Sequence, residues 1–68
     1  MKSIAIIIPV YNTPINLIDK CINSCLEQSH QSIQIVVIDD GSTHKETVAA
    51  LENYKNTYPT KINLYRIL

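Results

Sequence analysis

The sequence predicts an α/β fold built in the order β-α-β-α-β. Three apolar runs, at residues 3–10, 32–39 and 62–68, are separated by two segments with helical periodicity. The centres of the first two runs have no alternating polar residues, which is typical of parallel strands covered on both faces. Right-handed helical crossovers between parallel strands then give the spatial strand order 3-2-1. We therefore predict a three-layer, parallel Rossmann-like sheet.

The first helix follows the first strand directly. Asn12 or Thr13 can cap it, and Pro14 suits its first position. The helix is expected to end near residues 28–30. Its apolar positions fall at i, i+1, i+4, i+5, i+8 and i+9, which form one stripe. These positions are Leu17, Ile18, Cys21, Ile22, Cys25 and Leu26.

The second helix is predicted from the turn after the second strand to about Asn56. Thr43 and Glu46 have the spacing of a capping box, with a cap residue and an acid three positions later. A loop at residues 57–61 then leads to the third strand. The inner face of this helix is expected to carry Val48, Leu51 and either Tyr54 or the aliphatic stem of Lys55.

Composition excludes several classes of protein. The net charge is zero and no basic patch is present, so no nucleic-acid partner is expected. No apolar stretch approaches the roughly 20 residues that span a bilayer. The single glycine rules out dinucleotide-binding and P-loop motifs. Cys21 and Cys25 lie one helical turn apart, which rarely allows a disulfide, so free buried thiols in a reducing compartment are expected. His30 and His44 are predicted to be surface residues.

Polar residues follow the first two strands at the point where each strand ends. Tyr11 and Asn12 follow the first strand, and Asp39-Asp40-Gly41-Ser42 stands at the end of the second. These strands are predicted neighbours, about 4.8 Å apart, and ligands of open α/β sheets bind at the carboxyl ends of the strands. We therefore expect both groups of residues to face one cleft.

These residue types suit a nucleotide. The Tyr11 ring offers a flat face to a base, Asn12 offers a donor and acceptors, and Asp39 offers oxygens to a base N–H or a ribose hydroxyl. Gly41 permits a tight turn or a close approach. Successive strand residues point to opposite faces, so Asp39 and Asp40 are not expected to share a metal.

Each residue alone also has a structural explanation. Tyr11 can cover the sheet edge, Asn12 can cap a helix, and Asp40-Gly41 is a common turn dipeptide. The N–H groups of the following turn can satisfy Asp39. The two groups together favour a ligand site over these separate explanations.

Three segments, "SIAIIIPVYN", "CINSCLEQS" and "IQIVVIDDGST", resemble the amino-terminal part of family 2 glycosyltransferases, which have the GT-A fold. The resemblance covers about residues 3–43, and more loosely the rest. It implies a nucleotide-sugar donor, most often a UDP-sugar, and a glycan or lipid acceptor. Tyr11 and Asp39 would contact the base. The donor pocket implied by the resemblance comprises Pro9, Val10, Tyr11, Asn12, Asp39, Asp40 and Gly41.

The resemblance also implies groups that these 68 residues lack. The family's D-x-D motif, which binds Mg²⁺ or Mn²⁺, and its catalytic base lie further along the chain. Residues 1–68 are therefore expected to be part of a nucleotide-sugar-binding domain, truncated before D-x-D and inactive without the remainder of the parent chain. The parent is expected in the cytoplasm or at the cytoplasmic face of the membrane, associated peripherally. The alternative is a non-catalytic Rossmann-like module for nucleotide binding or interaction.

Overall fold

The structure, a computed structural model, describes residues 4–28 and 32–67. It contains strands β1 (Ile4–Val10), β2 (Ile33–Asp40) and β3 (Ile62–Ile67), and helices α1 (Ile15–Leu26) and α2 (Lys45–Thr57). All strand pairs are parallel, and β2 lies between β1 and β3. The predicted element order and the 3-2-1 strand order are therefore confirmed. The position predicted for His30 lies outside the described residues.

Both helices pack on the same face of the sheet. Two right-handed crossovers that step in the same direction along a sheet produce this arrangement. Along β2 the residues that face the helices are buried, while those between them are half-buried or exposed. The buried apolar core consists of Val10, Ile18, Ile22, Cys25, Ile33, Ile35, Val37, Leu51 and Ile62.

The opposite face of the sheet carries exposed apolar side chains, including Ile7, Tyr65 and Ile67. The alternating burial along β2 shows that the helices cover one side of the sheet. Of the three layers predicted from the sequence, residues 4–28 and 32–67 supply two, the sheet and one helical layer; the second face of the sheet, predicted to be covered, is open among these residues. The uninterrupted isoleucines and valines of the strands give each face its own apolar surface.

The apolar stripe predicted for α1 is wider than the face that the helix buries. Ile18, Ile22 and Cys25 are buried, but Leu17 and Cys21 are exposed. A helix packed against one side of a sheet buries a narrower set of positions than a stripe of six residues provides. Both thiols are free, as expected, but the prediction that Cys21 is buried is wrong. Burial, with a contribution from the nearby Cys21, raises the pKa of the Cys25 thiol.

The predicted helix caps are also wrong. Pro14 occupies the position before α1, and no side chain there bonds to the helix. His44 occupies the corresponding position before α2, and neither it nor a Thr43–Glu46 capping box supplies a side-chain cap. The N–H groups of Thr43 and His44, just before α2, bond instead to the side chain of Asn12 in the loop after β1.

The inner face of α2 is close to that predicted. Leu51 is buried, and Tyr54 and Val48 are half-buried. The sequence did not indicate that Thr47 is buried; its hydroxyl donates to the Thr13 carbonyl at 3.1 Å. No helix within the described ranges is long and apolar enough to cross a membrane.

Candidate active site at the carboxyl edge of the sheet

The carboxyl ends of the three strands meet at one edge. Val10 on β1 lies opposite Asp39 on β2, and Asp39 lies opposite Arg66 on β3. Parallel pairing in this register brings the residues that follow β1 and β2 side by side. Both polar groups therefore lie at one edge of the sheet, but only some of their residues face one cleft: Tyr11 and Asp40 do, whereas Asn12, Asp39 and Gly41 do not.

A cleft of about 460 Å³ lies at this edge, on the side of the sheet away from the helices. Tyr11 lies at its mouth and is 64% exposed. Ligand pockets commonly measure about 300–1,000 Å³, so the cleft is large enough for part of a nucleotide. Four predicted site residues share it with two apolar side chains; the lining is Pro9, Val10, Tyr11, Ile38, Asp40 and Ile67.

Asp39 points to the other face of the sheet and does not line this cleft. Its side chain is 0% exposed. One carboxylate oxygen, Oδ1, accepts the Ser42 N–H at 2.9 Å, and the other, Oδ2, lies 3.3 Å from Nε of Arg66. That contact is an ion pair without an aligned hydrogen bond, so Oδ2 has no directed donor within the described residues. Asp39 and Asp40 thus diverge, as the alternation along a strand requires.

Asn12 links the loop after β1 to the turn after β2. Its backbone N–H donates to Oγ of Ser42 at 2.9 Å. Its side-chain Oδ1 accepts the N–H groups of Thr43 at 2.8 Å and His44 at 2.9 Å. Its Nδ2 donates to Oγ1 of Thr43 at 3.2 Å. Asn12 therefore bonds to the turn that leads into the second helix, although the sequence indicated a cap for the first.

Gly41 shapes the turn that follows β2. Its φ is +76°, a left-handed conformation that other residues adopt at a cost. A Cβ atom at this position would also lie 3.4 Å from the Ile67 carbonyl oxygen. Both observations indicate that position 41 favours glycine, because the turn needs a positive φ and its backbone lies close to β3.

A second cleft of about 460 Å³ lies between the beginnings of α1 and α2. It includes Asn12 and His44 but neither Tyr11 nor either aspartate of the Asp39-Asp40 pair. We place the candidate site at the Tyr11 cleft, because an exposed ring and a carboxylate converge there.

The residues of this edge do not fit a divalent metal. No group of three or more His, Cys, Asp or Glu side chains could hold a metal ion in the part of the chain that the structure describes. Asp39 and Asp40 lie on opposite faces, and Asp39 is engaged by Ser42 and Arg66. No metal-dependent step is assigned to these residues.

Comparisons with known proteins give concordant matches. A family model described as "Glycosyl transferase family 2" matches residues 5–67. An uncharacterised glycosyltransferase of Haemophilus influenzae is 53% identical over 45 residues, which are 66% of this chain and 18% of that protein. An uncharacterised glycosyltransferase of Rickettsia typhi is 43% identical over 61 residues, which are 88% of this chain and 19% of that protein. The glycosyltransferase GlyG of Streptococcus pneumoniae is 42% identical over 40 residues, covering 59% of this chain and 13% of its own length. The chain thus spans less than a fifth of these relatives. No solved structure gives a significant match.

Proposed function

Because the chain belongs to glycosyl transferase family 2, we propose that it forms the nucleotide-binding part of an enzyme that transfers a sugar from a UDP-sugar to a glycan or lipid acceptor. The observation that carries this proposal is the Tyr11 cleft. An exposed aromatic ring and the Asp40 carboxylate meet there, at the edge where open α/β sheets bind ligands.

Tyr11 stacks against the base. Its ring is largely exposed, so it contributes little to the core and presents a free π face. Stacking of a base on an aromatic side chain contributes about 1–3 kcal/mol. Pro9, Ile38 and Ile67 provide an apolar floor beside the ring. Asp40, on the rim, accepts a hydrogen bond from a donor on the nucleoside.

Asp39 supports the same site from the other face of the sheet. Its carboxyl group is buried, pairs with Arg66 and accepts the Ser42 N–H. It therefore holds the turn after β2 in place, and Asp40 is the acid that faces the base in the Tyr11 cleft.

The remaining parts of the reaction belong to the parent protein in this proposal. A general base outside these residues deprotonates the acceptor hydroxyl, and Mg²⁺ or Mn²⁺ held elsewhere stabilises the leaving diphosphate. The free thiols of Cys21 and Cys25 support a reducing compartment, and hence action in the cytoplasm or at the cytoplasmic face of a membrane.

The test is a titration of the ¹⁵N-labelled chain with UDP, monitored by chemical shifts, with Tyr11→Ala as the main variant. We expect Tyr11→Ala to weaken UDP binding about tenfold, while Tyr11→Phe retains it because the ring remains. Tyr65→Ala is the matched control. Tyr65 is 59% exposed on the same face of the sheet but lines a different cavity.

Each outcome of the UDP titration either supports or contradicts the proposal. Shift changes confined to Tyr11, Asp40 and their neighbours, with weaker binding for Tyr11→Ala alone, support the proposal. Equal affinity of wild type and Tyr11→Ala, or an equal loss in Tyr65→Ala, contradicts the stacking role. Parallel titrations with CDP and ADP test the preference for uracil.

A further inference from the structure

We infer that Asn12 is a positioning residue for nucleotide binding, holding Tyr11 against the Asp39–Ser42 turn without contacting the ligand. This replaces the expectation that the Asn12 amide lines the donor pocket. The inference about affinity rests on the proposed function. The inference about Tyr11 placement rests on the contacts of Asn12 alone.

The Asn12 side chain has little capacity left for a ligand. Its Oδ1 already accepts two N–H groups, from Thr43 and His44, which uses both lone pairs. One hydrogen of Nδ2 is donated to Oγ1 of Thr43. Asn12 is also absent from the lining of the Tyr11 cleft. The side-chain amide of Asn12 therefore bonds to the turn after β2 and not to a ligand.

The contacts of Asn12 belong to a longer chain of interactions that joins all three strand ends. Asn12 donates its N–H to the Ser42 hydroxyl, and Ser42 donates its own N–H to Asp39. Asp39 in turn pairs with Arg66 at the end of β3. A change at Asn12 thus alters the β1 loop and the β2 turn together, and both carry predicted nucleotide contacts.

The backbone of Asn12 adds a second constraint. Its φ is +48°, in the left-handed region that glycine, asparagine and aspartate occupy most readily. This conformation bends the chain immediately after Tyr11. The direction in which the Tyr11 ring leaves β1 therefore depends on a residue that both tolerates this φ and bonds the Thr43 and His44 N–H groups.

Two variants separate positioning from direct contact. Asn12→Gly keeps the positive φ but loses the three side-chain bonds. Asn12→Asp keeps an oxygen for the Thr43 and His44 N–H groups and places a negative charge at the start of α2, where it is favourable. We expect Asn12→Gly to weaken UDP binding about tenfold and Asn12→Asp to remain within about threefold of wild type.

Direct contact predicts a different order of affinities. A carboxylate beside an anionic nucleotide would repel it, so Asn12→Asp would then bind UDP as weakly as Asn12→Gly or more weakly. That result would overturn the inference, as would wild-type affinity in a folded Asn12→Gly. If Asn12 contacted the ligand directly, Asn12→Asp would not bind UDP as well as wild type does.

A ligand-free measurement keeps this inference distinct from the proposed function. We expect the Thr43 and His44 amides to exchange with solvent at least about tenfold faster in Asn12→Gly, with shifted Tyr11 ring resonances. Both should be near wild type in Asn12→Asp. If wild type does not bind UDP, the proposed function fails while these readouts still decide the placement of Tyr11. Unchanged exchange and ring shifts in Asn12→Gly would refute that placement.

Ser42→Ala provides the test should Asn12→Gly not fold. It removes the single acceptor for the Asn12 N–H while leaving the Ser42 N–H available to Asp39. We expect a shift of the Tyr11 ring resonances and a loss of UDP affinity of about threefold to tenfold. Wild-type ring shifts and affinity in this variant would count against the inference.

Discussion

Replacing Arg66 with methionine should destabilise the fold by about 2 kcal/mol, because the substitution leaves the buried Asp39 carboxyl without its counter-ion. Methionine keeps much of the length of the arginine side chain and removes its charge. Asp39 is 0% exposed, so water cannot replace the lost partner without a change in structure. The effect should depend on the residue at position 39.

The magnitude follows from the geometry of the pair. Two unit charges 3.3 Å apart attract by about 5 kcal/mol at an effective dielectric constant of about 20, and by about 1 kcal/mol in bulk water. Arg66 is 36% exposed and Oδ2 receives no aligned hydrogen bond, so the coupling should lie in the lower half of that range. We expect about 1–3 kcal/mol.

The assay is a double-mutant cycle on urea unfolding, with Arg66→Met, Asp39→Asn and the double variant. Asp39→Asn keeps an oxygen for the Ser42 N–H and leaves Arg66 partly hydrated, so it should cost less than Arg66→Met. In the Asp39→Asn background, Arg66→Met should be nearly neutral. A domain of 68 residues has a total stability of about 3–10 kcal/mol, so these differences are measurable.

Additive effects would refute this reasoning. If the two substitutions combine within about 0.5 kcal/mol of their sum, the pair is not coupled, and Asp39 is held by the Ser42 N–H alone. A smaller loss for Arg66→Met than for Asp39→Asn would also contradict it, since the uncompensated buried carboxyl is the postulated cause.

Two further predictions concern the helices. Ile22→Ala should lower the free energy of unfolding by about 2–5 kcal/mol, because Ile22 is fully buried between α1 and the sheet. Leu17→Ala, on the exposed side of the same helix, should lower it by under about 0.5 kcal/mol. Equal losses for the two variants in urea unfolding would contradict this packing. Burial and the 2.6 Å hydrogen bond from its hydroxyl to Asp19 raise the pKa of Tyr54 to about 12. Because the folded state holds this proton more tightly, its stabilisation is complete below pH 10 and is lost between about pH 10 and 12. Tyr54→Phe should lose about 1 kcal/mol at pH 8 and show a shallower loss above pH 10, whereas parallel curves would contradict the link to Tyr54.

Hydrophobic periodicity was sufficient to predict the elements and their order. Isoleucine-rich runs and a helical stripe are local signals, and the handedness of crossovers then determines the strand order. Periodicity predicted a wider buried face for α1 than the helix has. Leu17 and Cys21 fit a helical pattern, but whether such residues are buried depends on how much of the helix meets the sheet.

The candidate site shows the limit of local signals more clearly. Asn12 next to Thr13 and Pro14 has the pattern of a cap for the following helix. The donors that it satisfies lie about 30 residues later, and no spacing rule connects them. The Asp39–Arg66 pair is of the same kind, because it depends on the register between β2 and β3. Residue types at the strand ends indicated the edge that carries the candidate site, but not which residues bond to one another there.

The divergence of Asp39 and Asp40 has a practical consequence. The two acids are adjacent in the sequence but lie in different surroundings. Asp39 is buried, whereas Asp40 is exposed to solvent. The electrostatic potential of the cleft can therefore be adjusted through Asp40 alone, with the interior ion pair left intact. Substitution of Asp40 is therefore a way to test how the charge of the cleft affects UDP binding without disturbing the buried pair.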